Sequence, residues 1–176
     1  GVKIDSKDPK VQKILDEVKD REFSGYSYDG ADASFELLAN RLLGKVPEYL
    51  KVKSYNVSVA KSDTIKTKAN VVFLIDGKNI ECNGEGNGPV NALDNAIRSN
   101  FKKVEKYYNF FSDLKLLDYK VRILNTGTEA VTRVSIESTD SKGKNWFTIG
   151  VSANIIDASF KALVDSLDYK LFKDKA

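Results

Sequence analysis

Histidine and methionine are both absent from this chain of 176 residues, and cysteine occurs once, as Cys82. Without histidine the usual general base near neutral pH and the commonest transition-metal ligand are missing, and no Ser-His or Cys-His pair can be assembled. No catalytic residue and no metal ligand is therefore assigned, and Asp113, Asp118, Glu129 and Asp140 stand at strand edges and turns rather than as an acid-base pair. One cysteine allows no internal disulfide, and its place in an apolar strand pattern reads as a packed thiol. Long apolar runs are lacking too: Val71 to Ile75 is among the longest, far short of the roughly 20 residues that cross a bilayer. No signal peptide is recognisable, so a cytoplasmic location with no membrane partner is expected. A start at Gly1-Val2-Lys3, with no methionine, reads as a piece of something longer. Charge of one sign is scarce as well, since 28 basic and 25 acidic residues are mixed along the chain. There is no clustered basic stripe of the kind that neutralises phosphates, which argues against nucleic acid.

What is present is a duplication. Gly77-Lys78-Asn79-Ile80 returns 66 residues on as Gly143-Lys144-Asn145-Trp146, and Asn91-Ala92 returns as Asp157-Ala158. In each copy a hairpin turn leads to a strand, the strand ends at a glycine (Gly84, Gly150), and a short loop opens an amphipathic helix. Helix N-termini carry unpaired N–H groups and partial positive charge, so two equivalent junctions suggest two related seats for a carboxylate.

Asp8-Pro9 with Val11, Ile14, Leu15 and Val18 predicts a helix over about 8–20, and a second over 31–43 places Phe35, Leu38 and Leu42 on one face before Gly44. From Lys51 the pattern alternates, predicting strands at 51–59, 71–75 and 79–83 around an Asp76-Gly77 turn. A helix from Pro89 to about Phe110 carries Val90, Leu93, Ile97, Phe101, Val104 and Tyr108 on one stripe. The second copy predicts strands near 114–124, 130–138 and 145–151 and a helix near 154–167. Trp146 reads as core or dimer contact, and the charged tail from Asp168 as frayed. The fold class is α+β: duplicated βββα units, antiparallel sheets with helices on one face, preceded by two short linker helices. The division is 1–50 for the linker helices and 51–176 for the duplicated domain.

Gly84-Glu85-Gly86-Asn87-Gly88-Pro89 sets three glycines and an asparagine directly before a helix. Glycines permit close ligand approach and Pro89 suits the first helical position. The loop alone is equally a tight strand-to-helix turn; it is neither a dinucleotide fingerprint nor a phosphate loop. Glu85 to Leu93, Leu117-Asp118-Tyr119-Lys120-Val121-Arg122, Gly127-Thr128, Ile136-Glu137-Ser138 and Thr148 to Ile156 together resemble the C-terminal regulatory (allosteric and dimerisation) domain of the isopropylmalate synthase and citramalate synthase family. Gly25 to Leu38 resembles the linker-subdomain helix of the citramalate synthase branch.

The resemblance implies a homodimer that binds isoleucine as feedback inhibitor of branched-chain amino acid biosynthesis. Its alternatives are a leucine-binding regulatory domain of an isopropylmalate synthase and a dimerisation module without effector. It implies no cofactor here, and a transferase barrel elsewhere in the same polypeptide that condenses pyruvate with acetyl-CoA using a divalent metal. Carried over by motif, the effector residues are Gly86, Asn87, Gly88, Pro89 and Val90 from the first loop and Leu116, Tyr119 and Ile123 from the following strand. Gly127, Thr128 and Ala130 come from the next turn and Ser152 and Ala153 from the second loop, Ala153 standing where family members often carry proline. In chemical terms, helix-start N–H groups suit the carboxylate of a free amino acid. Loop carbonyls with Asn87 and Thr128 suit its ammonium, and Leu116, Tyr119 and Ile123 its apolar branch.

Overall fold

The described elements run in the order α1 (Pro9–Phe23), α2 (Asp32–Leu42), β1 (Lys51–Lys61), β2 (Ile65–Ile75), β3 (Lys78–Gly86), α3 (Pro89–Asn100), α4 (Glu105–Phe111), β4 (Lys115–Ile123), β5 (Thr132–Thr139), β6 (Asn145–Ser152) and α5 (Ile155–Lys173). The computed structural model describes residues 9–101, 104–124 and 130–176. Two three-stranded sheets, β1-β2-β3 and β4-β5-β6, realise the duplicated α+β pattern. In the first, both pairings are antiparallel. The β2–β3 hairpin turns at Asp76 and Gly77, both at positive φ (48° and 77°), as a two-residue turn compatible with strand twist requires.

Contacts group the described residues into two compact units. One draws on the segments up to Pro47, Asp118–Glu137 and Trp146–Ser166; the other on Glu48–Leu117, Ser138–Asn145 and Leu167–Ala176.

In the second unit, β2 alternates strictly, burying Thr67, Ala69, Val71, Phe73 and Ile75 on the face that α3 covers. Cys82 of β3 is buried and unbridged among them. Leu93, Ile97 and Phe101 complete the layer, and Phe101 meets Phe73 and Phe111 with ring centroids 6.1 and 4.5 Å apart. The single helix expected to Phe110 is two. The interruption after Asn100 resets the helical phase, so α4 buries Tyr107 and Phe111, one turn apart, and leaves Tyr108 at 38% exposure instead of on the stripe.

In the first unit, α2 buries Ala33, Ser34, Leu37 and Leu38 and leaves Phe35 outward, one position off the expected face. The reason is polar. Ser34 Oγ accepts the backbone N–H of Ile149 (3.0 Å) and donates to Asp165 (3.2 Å), which also takes Arg41 Nη1 at 2.7 Å. A small hydroxyl residue occupies the helix's closest approach, and an alphabet of apolar positions does not register it. Trp146 is core, its Nε1 donating to Ser166 Oγ at 3.0 Å.

The tail expected to fray is helical to Lys173. Two of its charges are buried rather than solvated: Lys170 is 3% exposed and Asp168 6%. Lys170 pairs with Asp140 at 2.6 Å, Asp174 at 2.8 Å and Asp113 at 3.6 Å.

The strongest trace of the duplication is a packing device. A Cβ built on Gly84 would overlap the backbone of Ala96 and Ala92; one built on Gly150 would overlap that of Ala158 and Ala162. Each member of the second trio lies 66 residues after its counterpart. Glycine on the strand and alanines one turn apart on the helix let backbones meet closely in both copies.

Candidate functional site

The two strand-to-helix junctions are built differently. At the first, Gly88 is the N-cap of α3, extended at φ −164° and ψ 173°, with no side-chain cap, and Pro89 follows at the first helical position. Ala92 N–H donates to Gly88 carbonyl, closing the first turn. Proline contributes no N–H, so Val90 and Asn91 supply the N–H groups left at this end, with no acidic side chain in the first turn. Asn91 Oδ1 accepts from Asn87 N–H (3.1 Å), and Asn95 Nδ2 donates to Glu85 carbonyl (2.9 Å). The loop is thus held from the helix side. Asn87 itself is exposed.

Its glycines have separate reasons. Gly86 is demanded by packing, because a Cβ there would lie 2.5 Å from Ala92 N and 2.6 Å from Asn91 Oδ1. Gly88 is not: extended backbone suits any residue, and nothing lies within 4 Å of the position of its Cβ. The start of α3 therefore combines open space at the position of a Gly88 Cβ with N–H groups that have no side-chain cap.

At the second junction that seat is filled from within. Asn154 Oδ1 accepts from Ile156 N–H (2.8 Å) and Asp157 N–H (3.3 Å), and Ser152 Oγ accepts from Asn154 N–H (3.2 Å). Asp157 adds a carboxylate to the first turn of α5. A side-chain oxygen and a neighbouring negative charge leave little for an external carboxylate. Ser152 is half-buried and Ala153 exposed beside this cap.

Strand β4 takes an outer position in its sheet. Alternation puts Tyr119 and Ile123 on one face with Leu117 and Val121, and Leu116 on the opposite face, so these three nominated side chains do not form one wall. Tyr119 Oη lies 2.7 Å from Ser159 Oγ, whose own hydroxyl proton goes to Ile155 carbonyl (2.6 Å), making the tyrosine the donor. Ile123 is 66% exposed and Ala130 half-buried. Gly127 and Thr128 lie outside the described residues, as does Glu129. Gly86 to Val90 and Leu116 belong to the second unit; Tyr119, Ile123, Ala130, Ser152 and Ala153 to the first.

Sequence reasoning gave no site role to Asn91 and Asn95, which hold the first loop, or to Asn154, whose side chain caps α5 and closes the second junction. Their signal was present: Asn154 stands where α3 has Gly88, 66 residues earlier. It also overlooked a cavity of about 330 Å³ in the first unit, edged by Ser27, Asp29, Arg122, Arg133, Ser135 and Ile149. Among the described residues, no three His, Cys, Asp or Glu side chains group as a metal-ligand set. No helix of the described residues is long and apolar enough to cross a membrane.

Residues 29–171 match the family model of the LeuA allosteric (dimerisation) domain. The chain is similar to the (R)-citramalate synthases of Geobacter sulfurreducens and Aquifex aeolicus, 45% identical to each over 99% of its own length and 33% of theirs. It is also similar to the 2-isopropylmalate synthase of Clostridium acetobutylicum, at 34% identity over 78% of this chain and 22% of that protein. It spans about a third of the length of the citramalate synthases it matches.

Proposed function

The chain belongs to the LeuA allosteric (dimerisation) domain family, and from that membership we propose that it is the regulatory part of a citramalate synthase, a homodimer that binds isoleucine as feedback effector. The whole enzyme would join pyruvate to acetyl-CoA at a catalytic barrel elsewhere in the polypeptide, with a divalent metal there. The citramalate branch is favoured by relatives aligned across nearly the entire chain, against 78% for the isopropylmalate synthase.

The observation that carries effector binding is the start of α3: N–H groups without a side-chain cap, no acid in the first turn, and open space at Gly88. An amino acid's carboxylate suits such an opening, and the self-capped start of α5 supports giving that role to one junction rather than two. A thermal-shift screen over the twenty amino acids tests it. Isoleucine is expected to raise the melting temperature most, because a ligand that binds only the folded state stabilises it by mass action. Leucine giving the larger shift would move the assignment to the isopropylmalate synthase branch, whose relative at 34% identity keeps that reading open. No shift with any amino acid would leave a dimerisation module without effector.

Dimerisation is supported by β4, an outer strand with Leu117, Val121 and Ile123 exposed at 52%, 41% and 66%. A row of apolar side chains at a sheet edge invites cover by another chain. Light scattering at tens of micromolar is expected to give twice the 19.6 kDa of one chain; a monomeric mass would refute the dimer.

A further inference from the structure

We propose that the cavity of the first unit is an oxyanion site, in which Arg122 and Arg133 receive the carboxylate or phosphate group of a small molecule. The inference does not rest on the effector reading, since none of the described residues nominated for the effector lines this cavity.

The cavity lies between the turn after α1 and one face of the second sheet, and its volume of about 330 Å³ is within the range of small-molecule sites. Among the described residues its cations are Lys120, Arg122 and Arg133, and its carboxylate is Asp29. Lys120 is occupied, at 2.6 Å from Asp118. Neither arginine has an ion pair among the described residues, so two guanidinium groups share the space with one exposed carboxylate that pairs with neither.

Arg133 is the built element. It is half-buried, and its Nε donates to the carbonyl of Gly25 at 2.7 Å, which fixes the plane of the guanidinium and leaves its four Nη–H groups without a described acceptor. Gly25 is itself held, its N–H donating to the Glu22 carbonyl at 3.0 Å, and its φ of +105° favours glycine there. A planar fork held by one edge, with its other donors unused, is preorganised for a two-oxygen acceptor. Burial, and secondarily the charge of Arg122, lower the pKa of Arg133 from its ordinary value. The charge of Arg122 is thus an electrostatic cost to Arg133, and an anion bound in the cavity they share relieves it. Ser27 and Ser135 add hydroxyls and Ile149 an apolar patch, which suits a compact polar molecule rather than a polymer.

The test titrates sodium phosphate and sodium acetate, with sodium chloride as reference at constant ionic strength, while the Nε–H resonance of Arg133 and the melting temperature are followed. Saturable shifts with phosphate alone identify a phosphate ligand, with acetate alone a carboxylate ligand, and with both an oxyanion site open to either; each supports the site. Arg122→Gln alters an exposed side chain and is expected to keep the melting temperature in chloride while weakening oxyanion binding at least tenfold. Arg122→Lys, which keeps the charge, is expected to restore part of it. Shifts no larger than those of chloride, or Arg122→Gln binding as tightly as the parent, would overturn the assignment. So would a Lys variant no better than the Gln variant, because charge would then play no part.

Discussion

Lys170→Met is expected to cost about 3 to 5 kcal/mol of stability, the range for removing one partner of a buried ion pair and stranding the other. For a chain of this size that lowers the melting temperature by roughly 6 to 20 °C. The stranded groups are Asp140, Asp174 and Asp113. Lys142 relieves part of the repulsion by pairing with Asp174 at 2.5 Å, and Lys142 N–H donates to Asp140 at 2.9 Å, so collapse is not total.

The cluster also predicts a pH signature. Burial pushes the three carboxyls up, but hydrogen bonds and the Lys170 charge outweigh it and hold Asp113, Asp140 and Asp174 below the ordinary carboxylate range. Burial pulls Lys170 down and the aspartates outweigh it, leaving its pKa raised above 10.5. Groups with depressed folded values contribute stability above their unfolded pKa of about 4 and lose it as pH falls through the lower folded values. The raised lysine contributes fully below its unfolded value and loses it only as pH rises beyond 10.5 through the folded value. The gap in melting temperature between parent and Lys170→Met is therefore expected to be widest from about pH 5 to 9 and to narrow below pH 4, as the stranded carboxyls take up protons. A gap that stays constant to pH 3 would mean that lost packing, not charge, explains the variant.

Gly150→Ala is the second large effect, at about 3 kcal/mol or more, the upper part of the overpacking range. The added methyl meets the carbonyl of Ala158 and the backbone of Ala162, neither of which can rotate aside, so α5 must lift from β6. Gly84→Ala is expected to match it, against Ala96 and Ala92 in the first copy. Gly88→Ala, with open space at the same atom, is expected to change the melting temperature by no more than a few degrees. Denaturant midpoints of the three variants separate packing glycines from the open one; equal losses at Gly84 and Gly88 would refute the distinction.

These glycines show how much of the molecule was legible. The 66-residue repeat, the hairpin signal at Asp76-Gly77 and the alternation of β2 are periodic features, and they predict the α+β pattern and the order of its elements. Gly84 and Gly150 read as strand ends, two residues before β3 and β6 stop at Gly86 and Ser152, and a sequence does not say whether a glycine makes room for a ligand or for a helix. The misplaced elements share another cause. Ser34, Lys170 and Asp140 are polar residues that the fold buries by pairing them, whereas hydropathy assigns each to solvent. The break after Asn100 moved the apolar stripe from Tyr108 to Tyr107, because a helix restarted after an interruption keeps no phase with the one before it. At the site, the two junctions looked equivalent; one asparagine in place of one glycine closes the second.

Calorimetric titration of isoleucine into the parent and into Gly88→Asp tests the effector site most directly. Aspartate is a favoured N-cap, and in the extended conformation of Gly88 its carboxylate can accept the same α3 N–H groups that a ligand would use. The parent is expected to bind isoleucine saturably. The variant is expected to melt at the parent's temperature or slightly above while showing no saturable heat, since the seat is occupied from within, as Asn154 occupies it at α5. Isoleucine binding with equal affinity to Gly88→Asp, or no binding to the parent, would contradict the account.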